Sequence, residues 1–139
     1  EKVERLGFYN IQELLEDDNL TYKIIKNCVS LNSAITEITK DNHPELSKSF
    51  FETANYLYPF GILTLAKIKK RNYQDVEKEY LNSVGAKVSD YMEFMKKNGA
   101  SNQSFIKGTF IGDDLNFCNE IRSAIEITIS ETKKLKSQD

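Results

Sequence analysis

The sequence predicts an all-α protein, and two observations carry that prediction. Apolar residues recur every three or four positions along most of the 139 residues, which is the period of an amphipathic helix. Hydrophobic residues make up 40 % of the chain and charged residues 29 %, a balance typical of a soluble globular domain. We therefore expect one domain over residues 1–139, built as an antiparallel bundle of four long helices preceded by a short one.

The first helices follow from spacing and capping signals. Residues 1–16 carry apolar residues three or four apart, interrupted at Gly7, which predicts one or two short helical turns. Residues 21–39 carry a single apolar stripe with polar residues on the other faces, which predicts a long amphipathic helix. Asn42 and Glu45 match a capping box, with Pro44 in the first turn, and predict the start of the third helix.

The third helix contains an interior proline, Pro59, within its apolar pattern. Such a proline removes one hydrogen bond and clashes with the preceding turn, which costs about 3 kcal/mol unless the helix bends or ends. We therefore predict a kink at Pro59 or a break at Tyr58. The pattern then resumes and continues to Arg71.

The fourth helix should begin after Asn72, which can act as its N-cap, and should end at Gly99. Gly85, in the middle of this helix, suggests that a neighbouring helix crosses closely there, because glycine in a helix interior costs about 1 kcal/mol relative to alanine. Residues 100–112 have no helical period and are expected to form a loop.

The last helix should begin near Asp113 and end near Lys134. Its apolar stripe contains Cys118, just as the stripe of the 21–39 helix contains Cys28. The spacing of these cysteines does not show whether the sulfurs meet, and we expect two buried, reduced thiols and a cytoplasmic location. No stretch approaches the roughly 18 apolar residues of a membrane span, so none is expected within the chain.

The sequence offers little for catalysis or metal binding. His43 is the only histidine, and no oriented partner or further ligand accompanies it. The acidic residues 13–18 lack the ligand spacing of a calcium loop, and Lys107-Gly108-Thr109 lacks the spacing of a Walker phosphate loop. We therefore expect no enzymatic activity, no metal and no cofactor.

Three groups of residues are candidates for partner binding. Aromatic residues around Pro59 would edge a groove left by a broken helix, for a peptide, a helix or a small apolar ligand. Basic residues after that helix could contact an acidic partner or phosphates, and the 100–112 loop is more apolar than a linker requires. The candidates, in that order, are Tyr56, Tyr58 and Phe60; Lys69, Lys70 and Arg71; and Phe105, Lys107 and Phe110.

The leading hypothesis is a non-enzymatic regulatory or protein-interaction module, such as an adaptor, an inhibitor or a small subunit of a complex, with another protein as its partner. One alternative is a ligand-sensing helical domain of a membrane receptor, which would explain a chain that begins at Glu1. The other is a subunit that contacts nucleic acid through basic residues 67–71, although the net charge of −2 gives no general basic surface. The sequence does not predict the oligomeric state.

Overall fold

The computed structural model of the protein describes residues 3–102 and 104–137, and only the backbone of residues 15, 101 and 102. In this described part the chain forms five helices and no strand, which confirms the predicted all-α bundle with four long helices and a short N-terminal one. The helices are α1 (Ile11–Glu16), α2 (Asp18–Thr39), α3 (Pro44–Lys69), α4 (Tyr73–Asn102) and α5 (Ile111–Ser137). Helix α2 is central, since it packs against all four others.

Side-chain caps start the first two helices. The Asn10 side chain accepts a hydrogen bond from the backbone N–H of Glu13 at 2.8 Å, which fixes the start of α1. The Asp17 carboxylate accepts from the N–H groups of Asn19 at 2.9 Å and Leu20 at 3.2 Å. Because Asp17 satisfies these free donors, α2 begins three residues before the predicted position.

Helix α3 corrects two expectations. Its N-cap is His43, with Pro44 in the first turn and no side-chain cap hydrogen bond, so the predicted capping box is wrong. The helix also continues through Pro59, so the predicted break at Tyr58 is wrong, while a bend at that position stays a prediction. Leu57 and Ile62, on either side of the proline, are fully buried, and we attribute the intact helix to this packing.

The glycines of α3 and α4 have different roles from those predicted. Gly85 has open space where a side chain would lie, so no helix of the described chain crosses closely there. The close approach is instead at Gly61, where a Cβ atom would collide with the ring of Tyr80. Gly99 does not end α4 but makes room for Phe105, whose ring would lie 2.9 Å from an added Cβ. Helix α4 therefore runs three residues further, and residues 104–110 are the described part of a loop shorter than the predicted 100–112.

Cys28 and Cys118 form a disulfide bond, with their Cα atoms 5.5 Å apart, so the prediction of reduced thiols is wrong. The bond joins α2 to α5 across 90 positions of sequence. Both residues are fully buried in a core that also includes Leu57, Ile62 and Tyr80. Antiparallel packing of α2 and α5 brings the two faces together, which helical period alone does not reveal.

The N-terminal segment is held by one buried carboxylate. Both oxygens of Asp114, at the start of α5, accept from the backbone N–H of Leu6 at 3.0 Å, and Oδ1 accepts from Gly7 at 3.2 Å. Burial raises the pKa of Asp114 above its ordinary value, while the two backbone hydrogen bonds oppose that rise. This attachment places residues 3–10, and therefore α1, against α2 and α5.

Candidate functional site

An apolar groove lies between α1, α2, α3 and α5, with a cavity volume of about 270 Å³. Helix α5 forms one wall, α1 forms another, and α2 and α3 contribute the remaining side chains. The lining residues are Ile11 and Leu14 from α1; Thr21, Ile24 and Ile25 from α2; Phe60 from α3; and Ile121, Ala124, Ile125, Thr128 and Ile129 from α5.

The groove exists because α5 is covered along only part of its length. Cys118 and Ile121 on α5 are buried, but Ile125 and Ile129, one and two turns further on, are half-buried. Helix α2 runs antiparallel to α5 and begins at Asp18, so it covers little of α5 beyond Thr128. The six residues of α1 are too few to cover the rest of the apolar stripe.

The chemistry of the groove is that of an apolar binding surface. Among the described residues, its lining contains no charged side chain, and its only hydroxyl groups belong to Thr21 and Thr128. The Thr21 hydroxyl is hydrogen-bonded to the carbonyls of Leu14 and Asp17, and the Thr128 hydroxyl donates to the carbonyl of Ala124 at 2.9 Å. These hydroxyls already have backbone acceptors, so the groove is suited to burying apolar surface.

The predicted aromatic residues divide between this groove and the core. Phe60 lines the groove. Tyr56 lies at the edge of the groove, with 5.6 Å between its ring centre and that of Phe60. Arg122 of α5 stacks over Tyr56, with the guanidinium carbon 4.9 Å from the ring centre. Tyr58 instead packs against the buried ring of Tyr80, with 5.1 Å between ring centres.

The basic candidates lie at the turn between α3 and α4, outside the groove lining. The ammonium group of Lys69 pairs with Glu79 at 3.7 Å. Lys70 ends α3 in the left-handed conformation, with φ of 55°, and Arg71 is exposed. The cluster is therefore partly neutralised within the chain, and its position at the end of a helix agrees with the helix dipole.

The loop candidates lie towards the other end of the bundle. Phe110 packs against Phe94, with 5.5 Å between ring centres, and Phe105 covers Gly99 while remaining 43 % exposed. Lys107 is exposed, and its carbonyl accepts a hydrogen bond from the Asn98 side chain at 2.9 Å. The loop is therefore docked on α4, and the structure does not bring the three predicted groups into one site.

Sequence reasoning missed most of the groove. Helical period shows that one face of α5 is apolar, but it does not show whether another helix covers that face. The available signal was the mismatch between a long apolar stripe on α5, ending at Ile129, and a short first helix. That signal could have directed attention to Ile125 and Ile129.

Comparison of the chain with protein-family models, with curated proteins and with solved structures finds no match. In residues 3–102 and 104–137, no helix is long and apolar enough to cross a membrane. The same residues contain no cluster of three or more histidine, cysteine, aspartate or glutamate side chains that could hold a metal ion.

Proposed function

We propose that the protein is a non-enzymatic protein-interaction module and that the apolar groove binds the apolar face of a helix from its partner. The observation that carries this proposal is the lining, which combines aliphatic side chains with threonines whose hydroxyls are already hydrogen-bonded. An amphipathic helix binds such a groove through side chains spaced three or four residues apart. The wall from Ile121 to Ile129 is about 12 Å long, or roughly two helical turns.

The groove chemistry supports binding rather than catalysis. A general acid, a general base or a nucleophile would have to reach a substrate in the groove, and the described lining offers only hydroxyls that are bonded to carbonyls. Burial of apolar surface contributes about 25 cal/mol per Å², so a few inserted aliphatic side chains suffice for a specific contact.

The lining of the groove does not suit nucleic acid. Among the described residues it carries no lysine or arginine that could pair with phosphate groups. Its apolar side chains instead suit a partner that buries apolar surface. These features support a protein partner over nucleic acid.

A small apolar ligand is the second candidate, and it corresponds to the ligand-sensing alternative. The cavity of about 270 Å³ is close to the lower end of the range for small-molecule sites, roughly 300–1,000 Å³. The lining lacks the free polar groups that usually orient such ligands, and this favours the helix.

The compartment follows from the cysteines. A cytoplasmic location was expected from reduced thiols, and the Cys28–Cys118 disulfide removes that reason. Disulfides persist mainly in oxidising compartments. We therefore propose that the protein works in an oxidising compartment.

Site-specific photocrosslinking in the native source tests the function. Benzoylphenylalanine in place of Ile125, which lines the groove, should form a covalent adduct with a protein. The same group at Leu81, which is 53 % exposed on a helix that does not line the groove, is the control. Ala124→Trp, which fills the groove, should abolish the Ile125 adduct, while Ser123→Trp on the exposed side of α5 should not.

The assignment of the groove would be contradicted by equal yields of protein adduct from benzoylphenylalanine at positions 125 and 81. It would also be contradicted by an adduct at position 125 that persists in the Ala124→Trp variant. Binding of the neutral dye Nile red gives a second measurement. Saturable binding that Ala124→Trp removes, without any protein adduct at position 125, would favour the small-ligand function.

A further inference from the structure

A positive charge lies at one edge of the apolar groove. Arg122 is on α5 between the lining residues Ile121 and Ala124, and it precedes the lining residue Ile129 by seven positions. Residues seven positions apart lie on nearly the same side of a helix. The Arg122 side chain therefore leaves α5 beside the residues that line the groove.

Contacts with α3 hold the guanidinium of Arg122 at that edge. Its carbon lies 4.9 Å from the ring centre of Tyr56, and Nη1 donates to the hydroxyl of Thr53 at 3.1 Å. The Tyr56 ring is in turn 5.6 Å from the ring of Phe60, which lines the groove. The guanidinium is thus fixed at the boundary between α3 and α5, just outside the lining.

The guanidinium keeps free hydrogen-bonding capacity. An arginine side chain has five N–H donors, and Arg122 uses Nε for the Glu126 carboxylate at 2.7 Å and Nη1 for Thr53. Nη2 has no partner among the described residues, and the Arg122 side chain is 31 % exposed. The side chain of Glu126 is also exposed, so water weakens this ion pair. Arg122 can therefore bind a second carboxylate while it keeps its contacts within the chain.

We infer that Arg122 selects the partner of the groove, which is a helix with an acidic side chain beside the apolar residues that enter the groove. The inference rests on the proposed function, because it adds a charge requirement to the helix that the groove binds. A helix that covers the groove shields the guanidinium from water, which strengthens its attraction to a carboxylate. A helix with a neutral or basic residue at this point leaves the covered guanidinium without a new acceptor, and its binding is weaker.

Photocrosslinking with the full chain tests the charge requirement. Benzoylphenylalanine replaces Ile125, and the yield of protein adduct is measured over a range of concentrations of the chain. Arg122→Glu should raise the concentration for half-maximal yield at least tenfold, because two negative charges then meet. Arg71→Glu makes the same change of charge at an exposed residue of the turn between α3 and α4, outside the lining, and should leave that concentration unchanged.

Three further variants separate recognition from a structural role of Arg122. Arg122→Lys should need a lower concentration than Arg122→Gln, because lysine keeps the positive charge. Glu126→Gln removes the carboxylate that bonds Nε of Arg122, and should therefore lower the half-maximal concentration below that of the unmodified chain. If Arg122 only held α3 against α5, Glu126→Gln would not improve capture. Circular dichroism checks that each variant is folded, and the comparison of Arg122→Lys with Arg122→Gln decides if Arg122→Glu does not fold.

The sequence of the captured segment gives an independent result. Mass spectrometry of the adduct should identify an amphipathic helical segment with aspartate or glutamate within one turn of the cross-linked residue. A segment without an acidic residue there overturns the inference, as does equal capture by Arg122→Glu and Arg71→Glu. The proposed function fails separately, and the inference with it, if position 125 captures no more protein than the control position Leu81.

Discussion

Reduction of the Cys28–Cys118 disulfide should remove a large part of the protein's stability. The bond closes a loop with a sequence separation of 90 residues. For a loop of about that length, the loss of loop-closure entropy in the unfolded chain is worth about 4.6 kcal/mol at 25 °C. We expect the free energy of unfolding to fall by about 3–5 kcal/mol on reduction, a large share of the roughly 5–15 kcal/mol of a typical domain.

The assay compares urea unfolding of oxidised and reduced protein, followed by circular dichroism. Reduced protein is prepared by unfolding and refolding in dithiothreitol, because both cysteines are fully buried and a reductant cannot reach them in the native state. Addition of dithiothreitol to folded protein should accordingly produce free thiols only at the rate of opening or unfolding.

The double variant with Cys28→Ala and Cys118→Ala is the control. It removes the cross-link, as reduction does, and it also removes the packing of the two sulfur atoms. It should be less stable than the reduced protein, since it also leaves a cavity in the core. The reasoning is refuted if thiol titration of unreduced protein, denatured without reductant, finds two free cysteines, or if reduction changes the free energy of unfolding by less than about 1 kcal/mol.

Three further predictions concern packing and pH. Gly85→Ala should raise the free energy of unfolding by about 0.5–1 kcal/mol, because the new Cβ meets open space. Gly61→Ala should lower it by about 1–3 kcal/mol, because the new Cβ meets the buried ring of Tyr80. Equal effects of the two substitutions in urea unfolding would contradict the roles assigned to these glycines. Val84→Ala, at a buried position, should cost about 2–3 kcal/mol in the same assay, and a cost below about 0.5 kcal/mol would place Val84 outside the core. Burial raises the pKa of Asp114 in the folded protein above its ordinary value of 3.8. The contribution of Asp114 to the free energy of unfolding is therefore fully present below pH 3.8 and is lost as the pH rises through the raised pKa. The unfolding free energy of the unmodified protein should thus fall relative to that of Asp114→Asn over this interval, and a rise would contradict the stated direction.

Local sequence signals predicted which segments are helical, because each long helix carries its own apolar period. They failed where a distant residue decides the outcome. A glycine such as Gly99 is typical of a helix end, but Phe105 packs against it and α4 continues. A proline such as Pro59 is typical of a helix break, but buried neighbours on both sides keep α3 intact. In both cases tertiary packing outweighed a local preference of about 1–3 kcal/mol.

The long-range attachments could not be predicted from period at all. The Cys28–Cys118 bond and the hydrogen bonds from Leu6 to Asp114 join positions 90 and 108 residues apart. An apolar face that contains a cysteine is compatible with a thiol or a disulfide. The position of Asp114 in the sequence is equally compatible with an exposed acidic residue in the first turn of a helix and with a buried one. Only the arrangement of the helices distinguishes these alternatives.

The groove was hidden from the sequence for a related reason, since it arises from unequal helix lengths. Helix α5 has 27 residues, but its antiparallel neighbour α2 begins at Asp18, α1 has six residues, and α3 contributes Phe60 to the lining. The stripe through Ile125 and Ile129 therefore extends beyond the helices that could bury it. The part of this apolar stripe that no helix covers would still gain free energy if a partner buried it.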